Sequence, residues 1–243
     1  MGPMTSRDGD AVHGSGDHGD LAALVQRARG LVAGVVASGG GRAVLGITGA
    51  PGAGKTTLVE RLLVELSGHP PEGVSAGDWV AHVPMDGFHL SDAQLERLGL
   101  RDRKGAPETF DASGYAALLE RVRAETGQTV YAPGFERELE QPIAAALAVP
   151  PSARLVVTEG NYLLLDDPSW RRVRAAMDEV WYCDLDEPTR LGRLVARHVE
   201  FGKEPDAAAL WVQQVDQANA VLVAATRARA DHVVTLGRGP SRP

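Results

Sequence analysis

Apolar residues recur along the chain in two alternating patterns, one typical of helices and the other typical of buried strands. Residues 21–36 place apolar side chains three and four positions apart, which predicts an amphipathic helix. Residues 42–49 then form a short apolar run suited to a buried parallel strand. A second helical pattern covers residues 56–66 and ends shortly before Pro70. The chain is therefore predicted to begin as a helix, a strand and a helix in succession.

The same alternation continues toward the C-terminal end. Strand patterns cover residues 79–85, 155–160, 179–185 and 232–236, and helical patterns cover residues 112–126, 189–199 and 207–229. Strands that alternate with helices predict an α/β fold, in which a mostly parallel sheet carries helices on both faces.

The first residues differ in composition from the rest of the chain. Residues 1–19 are rich in Gly, Asp, Ser and His and hold little that could be buried, so we predict a disordered N-terminal tail. Residues 20–243 carry the alternating pattern without an internal repeat or a low-complexity linker. We therefore predict that they form one domain.

Composition and charge limit the classes of function. The net charge of −7 argues against a general nucleic-acid-binding surface, which would need a basic face. No apolar run approaches the roughly 18 residues of a membrane span, and the N-terminus lacks the segments of a signal peptide. The single cysteine, Cys183, excludes an internal disulfide. We expect a cytoplasmic protein that binds neither nucleic acid nor membrane.

A glycine-rich segment joins the first strand pattern to the second helical pattern. Residues 49–56 follow the pattern G-x-x-x-x-G-K-T, in which glycines let backbone amides wrap around phosphate oxygens. The following helix aims its N-terminal amides at the same anion. Lys55 is expected to reach the β- and γ-phosphates, and the Thr56 hydroxyl to coordinate Mg²⁺. The predicted nucleotide-binding residues are Gly49, Ala50, Pro51, Gly52, Ala53, Gly54, Lys55, Thr56 and Thr57.

Acidic residues follow two of the strand patterns. Asp86 comes directly after residues 79–85, and Glu159 lies at the end of residues 155–160. Ligands of open α/β sheets bind beyond the carboxyl ends of the strands, so both acids are expected near the phosphate loop. There Asp86 would accept the proton of a substrate hydroxyl, and Glu159 would organise Mg²⁺. The alternatives are that Asp86 caps a turn with Gly87 and that Glu159 is a surface carboxylate.

Several segments resemble one family when they are taken together. The segments GAPGAGKTT, MDGFH, RKGAPETFD, TEGNYLLLD and ATRARAD resemble the small-molecule kinases that include uridine kinase, pantothenate kinase and phosphoribulokinase. MDGFH, YAPGFER and TEGNYLLLD together are most similar to a branch labelled nucleoside kinase-like or fructose transport system kinase. The resemblance implies a P-loop NTPase fold and transfer of the γ-phosphoryl group of ATP to an alcohol. It also implies that Asp86 is the catalytic acid–base and that Glu159 is the second acidic residue.

The resemblance further implies a small lid that follows Asp186. Arg190, Arg193 and Arg197 are spaced so that they share one helical face. Such a face can clamp the phosphates of ATP and offset charge in the transition state. Arg193 and Arg197 are the predicted ATP contacts, Arg193 has a catalytic role, and Lys203 could join them. A solvated arginine face is the alternative.

The acceptor is expected to bind between the strands that carry Asp86 and Glu159. Polar and aromatic candidates for its contacts are Asp86, His89, Glu108, Tyr131, Phe135, Arg137 and Asn219. Each of these candidates other than Asp86 could equally have a packing role. Phe88-His89 stands where uridine kinases carry a tyrosine motif, and APGFER replaces the histidine loop of pantothenate kinases. The sequence therefore favours a nucleoside or sugar-like alcohol and keeps pantothenate as a further candidate.

A second class of function is compatible with a phosphate-binding loop. A nucleotide-dependent switch or ATPase that acts on a protein partner would use the same loop but would need no acceptor site. The long segment between Met85 and Arg137 disfavours it, because its length suits an acceptor region. The absence of an NKxD-type guanine-reading motif favours ATP. The sequence leaves open whether the protein forms a homodimer.

Overall fold

The structure, a computed structural model, describes residues 16–74 and 78–236 of the chain. Its strands are β1 (Ala43–Thr48), β2 (Val80–His82), β3 (Val130–Glu136), β4 (Gln141–Val149), β5 (Leu155–Glu159), β6 (Glu179–Asp184) and β7 (His232–Thr235). Its helices are α1 (Gly16–Ala37), α2 (Lys55–Ser67), α3 (Asp92–Leu98), α4 (Ala112–Ala124), α5 (Pro168–Ala175), α6 (Glu187–Glu200), α7 (Pro205–Trp211) and α8 (Gln217–Ala224).

A five-stranded parallel sheet lies at the centre of the domain, in the order β2-β5-β1-β6-β7. Every residue of β1 and β5 is buried. Continuous burial is expected of parallel strands that are covered on both faces, because neither face meets water. The predicted α/β class and its mostly parallel sheet are confirmed.

Apolar clusters cover the two faces of this sheet. Val44 of β1 packs in one cluster with Leu119 of α4, whereas the next residue, Leu45, packs in the other with Leu62 of α2. Adjacent residues of a strand point to opposite faces, so one apolar run contributes to both clusters. Helices α4 and α5 cover the first face, and α1 and α2 cover the second.

Strand register brings the phosphate loop and the predicted acids to one edge of the sheet. Ile47 of β1 pairs with Glu159 of β5, and the Gly160 amide donates a 3.1 Å hydrogen bond to the Ile47 carbonyl. Strand β2 is the other neighbour of β5. Its chain continues to Asp86, which lies in a 3-10 turn over Met85–Phe88. The carboxyl ends of β1, β2 and β5 therefore lie side by side.

Some elements differ from the sequence-based expectations. Strand β2 is shorter than the predicted residues 79–85, because Pro84 has no amide proton to donate and the 3-10 turn begins immediately after it. The predicted helix over residues 207–229 is divided, and a π-helical segment, Val212–Asp216, separates α7 from α8. The antiparallel β3–β4 hairpin and the short helices α3 and α5 were not predicted.

The N-terminal helix is longer than its apolar pattern suggested. Helix α1 begins at Gly16, within the segment assigned to the tail, and residues 1–15 of that prediction lie outside the described residues. In residues 16–74 and 78–236, none of the helices has both the length and the apolar character of a membrane-spanning segment.

Candidate active site

The phosphate loop has a backbone that requires glycine. Gly49 has a φ of 149° and Gly52 a φ of 78°, both in the range that residues with side chains rarely adopt. A Cβ atom on Gly49 would lie 2.6 Å from the Cys183 carbonyl oxygen, and one on Gly52 would lie 2.7 Å from Cγ of Leu194. The loop thus packs tightly between β6 and α6, and its shape requires glycine, which has no side chain, at both positions.

Lys55 begins α2 and folds back over this loop. Its ammonium group donates hydrogen bonds of 2.9 Å to the Gly49 carbonyl and 3.1 Å to the Ala50 carbonyl. Burial lowers the pKa of Lys55, while the negative charges of Glu159 and Asp86 act in the opposite direction. The lysine therefore lies within electrostatic reach of both predicted acids.

Thr56 and Glu159 are in direct contact. The Thr56 hydroxyl donates a 2.9 Å hydrogen bond to Oε2 of Glu159, and Nε2 of His82 lies 3.4 Å from Oε1. Burial by itself raises the pKa of Glu159, but His82, Thr56 and Lys55 outweigh it and the pKa is lowered. Glu159 is therefore ionised at neutral pH although it is largely buried.

These oxygen atoms suit magnesium. A hydroxyl and a carboxylate are hard ligands, and Mg²⁺ is typically held by one or two protein oxygens together with phosphate oxygens and water. In the part of the chain that the structure describes, no group of three or more His, Cys, Asp or Glu side chains could hold a metal. Thr56 and Glu159 would supply two such oxygen ligands to a Mg²⁺ ion.

Asp86 lies in a turn that is held from both sides. The Asp86 carbonyl accepts a 2.8 Å hydrogen bond from Nδ1 of His89. A Cβ atom on Gly87 would overlap the Pro133 carbonyl of the hairpin, so this glycine allows the turn to pack against β3. Burial lowers the pKa of His89, whose imidazole is thus neutral at physiological pH.

One cavity of about 540 Å³ connects the phosphate loop to this turn. The predicted site residues that line it are Pro51, Gly52, Lys55, Thr56, Asp86, His89, Phe135, Arg137, Glu159, Arg197, Lys203 and Asn219. The structure therefore brings the loop lysine, the Thr56–Glu159 pair and Asp86 together around a single space.

Other predicted residues do not line this cavity. Glu108 forms an ion pair of 2.5 Å with Arg103 and faces a separate cavity beside Trp170. Tyr131 is 60% exposed on the outer side of the hairpin. Arg193 is exposed, and the loop residues that do not line the cavity are Gly49, Ala50, Ala53, Gly54 and Thr57.

The arginines of α6 do not share one role. Arg190 is buried, donates a 3.3 Å hydrogen bond to the Pro51 carbonyl and also contacts the Gln217 side chain. It ties α6 to the phosphate loop and α8, so it is not a free member of an arginine clamp. Arg197, two turns later, is exposed and faces the cavity.

The cavity also contains residues that sequence reasoning missed. They include Arg101, Lys104, Glu140, His198, Phe201, Trp211 and Asp216. Lys104 belongs to the RKGAPETFD segment. The motif therefore indicated where this segment lies, but not that the Lys104 side chain points into the cavity. Asp216 ends the π-helical segment and accepts a 2.9 Å hydrogen bond from Nε2 of His198. Helical periodicity cannot reveal such a residue, because a π segment shifts every following side chain around the helix.

Known proteins resemble this chain over half of its length or more. The Aspergillus versicolor protein named ATP-dependent kinase-like protein notR' is 38% identical over 132 residues, which cover 51% of this chain and 77% of the relative. A Schizosaccharomyces pombe protein, C227.14, is named as a candidate uridine kinase. It is 32% identical over 165 residues, which cover 66% of this chain and 68% of the relative.

A solved structure and a family profile extend the comparison. The crystal structure of a candidate fructose transport system kinase from Silicibacter sp. TM1040 aligns with a TM-score of 0.70 and 39% identity, and it covers 80% of this chain and 90% of its own. The profile of the Methylmalonyl Co-A mutase-associated GTPase MeaB matches residues 19–83. That match contains the phosphate loop and ends before Asp86.

Proposed function

The chain belongs to the P-loop kinases of the uridine kinase type, and from this premise we propose that it transfers the γ-phosphoryl group of ATP to an alcohol group of a small metabolite. The acceptor is a nucleoside or a sugar-like alcohol, with pantothenate as a further candidate. One observation carries the proposal: Lys55, the Thr56–Glu159 pair and Asp86 line the same cavity.

The phosphate side of the cavity is built to bind and neutralise anions. The amides of the loop and of the first turn of α2 would hold the nucleotide phosphates. Lys55 would exchange its bonds to the loop carbonyls for phosphate oxygens. Arg193 and Arg197 of α6 would offset the charge that spreads over the transferring group. Thr56 and Glu159 would hold Mg²⁺, which supplies further neutralisation of phosphate charge when it is bound.

Asp86 would act on the acceptor. Its carboxylate would accept the hydroxyl proton as the alcohol attacks, and the nearby neutral His89 would position the alcohol. Phe135 offers an apolar surface beside His89, since the two ring centroids are 4.9 Å apart. Asn219, which is buried in α8 and also lines the cavity, would contribute a polar contact.

Replacing the proposed base tests this assignment. Asp86→Asn and Asp86→Ala should abolish transfer of labelled phosphate from [γ-³²P]ATP to an acceptor while the affinity for ATP changes little. Glu60→Gln is the control, because Glu60 is an exposed carboxylate on α2. Turnover close to that of the unmodified protein in Asp86→Asn would remove Asp86 from the mechanism.

A second candidate function follows from the GTPase profile. A nucleotide switch that acts on a protein partner would use the segment that this profile matches, residues 19–83. It would not need Asp86 or the acceptor wall beyond it. Hydrolysis measured with ATP and GTP, with and without a metabolite panel, separates the two functions. Stimulation by a protein alone, with a preference for GTP, would favour the switch.

The cytoplasmic location and the homodimer stay predictions.

A further inference from the structure

Cationic side chains converge on the acceptor side of the cavity. Arg101 and Lys104 follow α3, Arg137 follows β3, and all three line the same space as Asp86. They come from two separate parts of the chain, so their convergence is produced by the fold. Nothing in the roles proposed above for Asp86 or the phosphate loop requires them.

Lys104 is held in a defined position. Its side chain is 13% exposed, and its ammonium group donates a 2.8 Å hydrogen bond to Oδ1 of Asp92 and another to the Glu140 carbonyl. The same nitrogen lies 5.7 Å from the centroid of the Phe135 ring. A lysine that is restrained in this way loses little further entropy when it binds an anion.

The cations outnumber the carboxylates beside them. Asp92 is shared between two of the cations. Its Oδ2 forms an ion pair of 2.8 Å with Arg101, and its Oδ1 binds Lys104. Arg137 is exposed and, among the described residues, no carboxylate lies within ion-pair distance of it. Among all the charged residues in the described part of the chain that line this cavity, six are lysine or arginine and four are aspartate or glutamate, so a surplus of positive charge remains.

Two aromatic rings connect Asp86 to the cation Lys104 through a series of contacts. His89 binds the Asp86 carbonyl through Nδ1 and packs against Phe135, with ring centroids 4.9 Å apart. The ammonium group of Lys104 in turn lies next to the Phe135 ring. A small molecule that placed its alcohol at Asp86 could extend over these rings and reach the cations with its other end.

We infer that the acceptor carries, in addition to its alcohol, an anionic group that Arg101, Lys104 and Arg137 bind. This inference rests on the proposed kinase function and narrows its substrate class. The anion is a phosphate or a carboxylate, since both accept charge-assisted hydrogen bonds from lysine and arginine. A phosphorylated sugar or a hydroxy acid satisfies the requirement, whereas an uncharged nucleoside or sugar leaves the surplus charge unpaired.

Anion binding can be measured without any phosphoryl transfer. The phosphate loop is first saturated with Mg²⁺ and the non-hydrolysable analogue AMP-PNP, and inorganic phosphate or propionate is then titrated calorimetrically. We expect one of the two to bind saturably, and Arg137→Gln to weaken it on the order of 10-fold. Arg121→Gln, at an exposed arginine of α4 that pairs with Glu125, should leave binding unchanged.

Matched acceptors test the same inference by turnover. Fructose 6-phosphate is compared with fructose, and pantothenate with its neutral amide. The anionic member of at least one pair should have the larger kcat/KM, on the order of 10-fold or more. Arg137→Gln and Lys104→Met should remove this preference by raising KM, with kcat changed less. Arg137→Gln is decisive if Lys104→Met fails to fold, because Arg137 is exposed.

The outcomes separate this inference from the kinase assignment. Neutral acceptors that are phosphorylated as well as anionic ones, or anions that do not bind to the AMP-PNP complex, would overturn the anionic subsite and leave the kinase function intact. Saturable, Arg137-dependent anion binding without phosphorylation of any acceptor would support the subsite and contradict the proposed function.

Discussion

The hydroxyl of Thr56 donates a 2.9 Å hydrogen bond to Glu159, which joins the first turn of α2 to the carboxyl end of β5. The contact spans residues that are 103 positions apart in the chain. It exists because β1 and β5 are neighbouring parallel strands, so the loop after one strand lies beside the last residue of the other. The geometry leads directly to a prediction for magnesium.

Glu159→Gln should raise the Mg²⁺ concentration needed for half-maximal ATP turnover. The amide keeps the size of the side chain but removes the charge that organises the cation, and changes of this kind typically cost about 10–100-fold in metal affinity. Thr56→Ser should retain the hydroxyl and much of the activity, whereas Thr56→Val should not. Magnesium titrations of turnover check the prediction. An unchanged Mg²⁺ dependence in both Glu159→Gln and Thr56→Val would contradict it.

Gly49→Ala should destabilise the protein and impair nucleotide binding. The new Cβ would lie 2.6 Å from the Cys183 carbonyl, and a φ of 149° is unfavourable for alanine. The expected loss is about 1–3 kcal/mol in the free energy of unfolding. Denaturant unfolding monitored by fluorescence measures this loss.

Gly34→Ala is the matched control for that substitution. Gly34 lies inside α1 with nothing within 4 Å of its Cβ position, so alanine should stabilise the helix by up to about 1 kcal/mol. Equal effects at the two glycines would show that the loop does not depend on the conformation of Gly49.

The sequence predicted those parts of the site that depend on local patterns. The loop motif at Gly49–Thr56 and the acids at the ends of two strand patterns could be read directly, because parallel strands bring their carboxyl ends to one edge. Strand order was not predicted, although it decides which of the acids at strand ends reach the cavity. Glu159 of β5 lines the cavity, whereas Asp184, which ends β6, pairs with Arg227 outside it.

The acceptor side could not be predicted in the same way. Its position depends on the β3–β4 hairpin, whose sequence contains Pro133 and Gly134 and therefore lacks a regular strand pattern. Glu108 was expected in the cavity but is turned toward Arg103. Conversely, Lys104 enters the cavity because Asp92 and Glu140, which are distant in sequence, hold it there. Such long-range contacts leave no periodic signal.

His89 should make stability depend on pH. Burial lowers its pKa below the ordinary value of 6.5, an effect that Lys104 reinforces and Asp86 and Glu140 oppose. The unfolded chain therefore binds more protons than the folded one just below this pH, so stability falls as the pH drops through about 6.5 toward the lower folded pKa. Thermal unfolding between about pH 7.5 and pH 5 measures the effect.

A His89→Gln variant isolates this contribution. Glutamine has no titratable group and its amide can still donate to the Asp86 carbonyl. The variant should lose less stability on acidification than the unmodified protein. If the two proteins lose stability in parallel, other groups account for the acid sensitivity and His89 does not.

Arg190 and Arg197 should respond differently to substitution although both lie on α6. Arg190 is buried and binds the Pro51 carbonyl and Gln217, so Arg190→Met would leave these groups without their partner. The expected loss is about 1–3 kcal/mol in the free energy of unfolding. Arg197→Gln removes an exposed charge at the cavity, so it should leave the melting temperature unchanged and lower kcat by roughly 10-fold or more.

Thermal unfolding and steady-state turnover of the two variants, measured in parallel, distinguish a structural arginine from one that acts on the phosphates. A stable Arg190→Met protein with reduced kcat would indicate that Arg190 does belong to the phosphate clamp that the spacing of the three arginines predicts. An unstable Arg197→Gln protein would mean that α6 is held in place by its exposed face. Either result would change which residues are free to move when a nucleotide binds, because the contact of Arg190 with Pro51 links α6 directly to the phosphate loop.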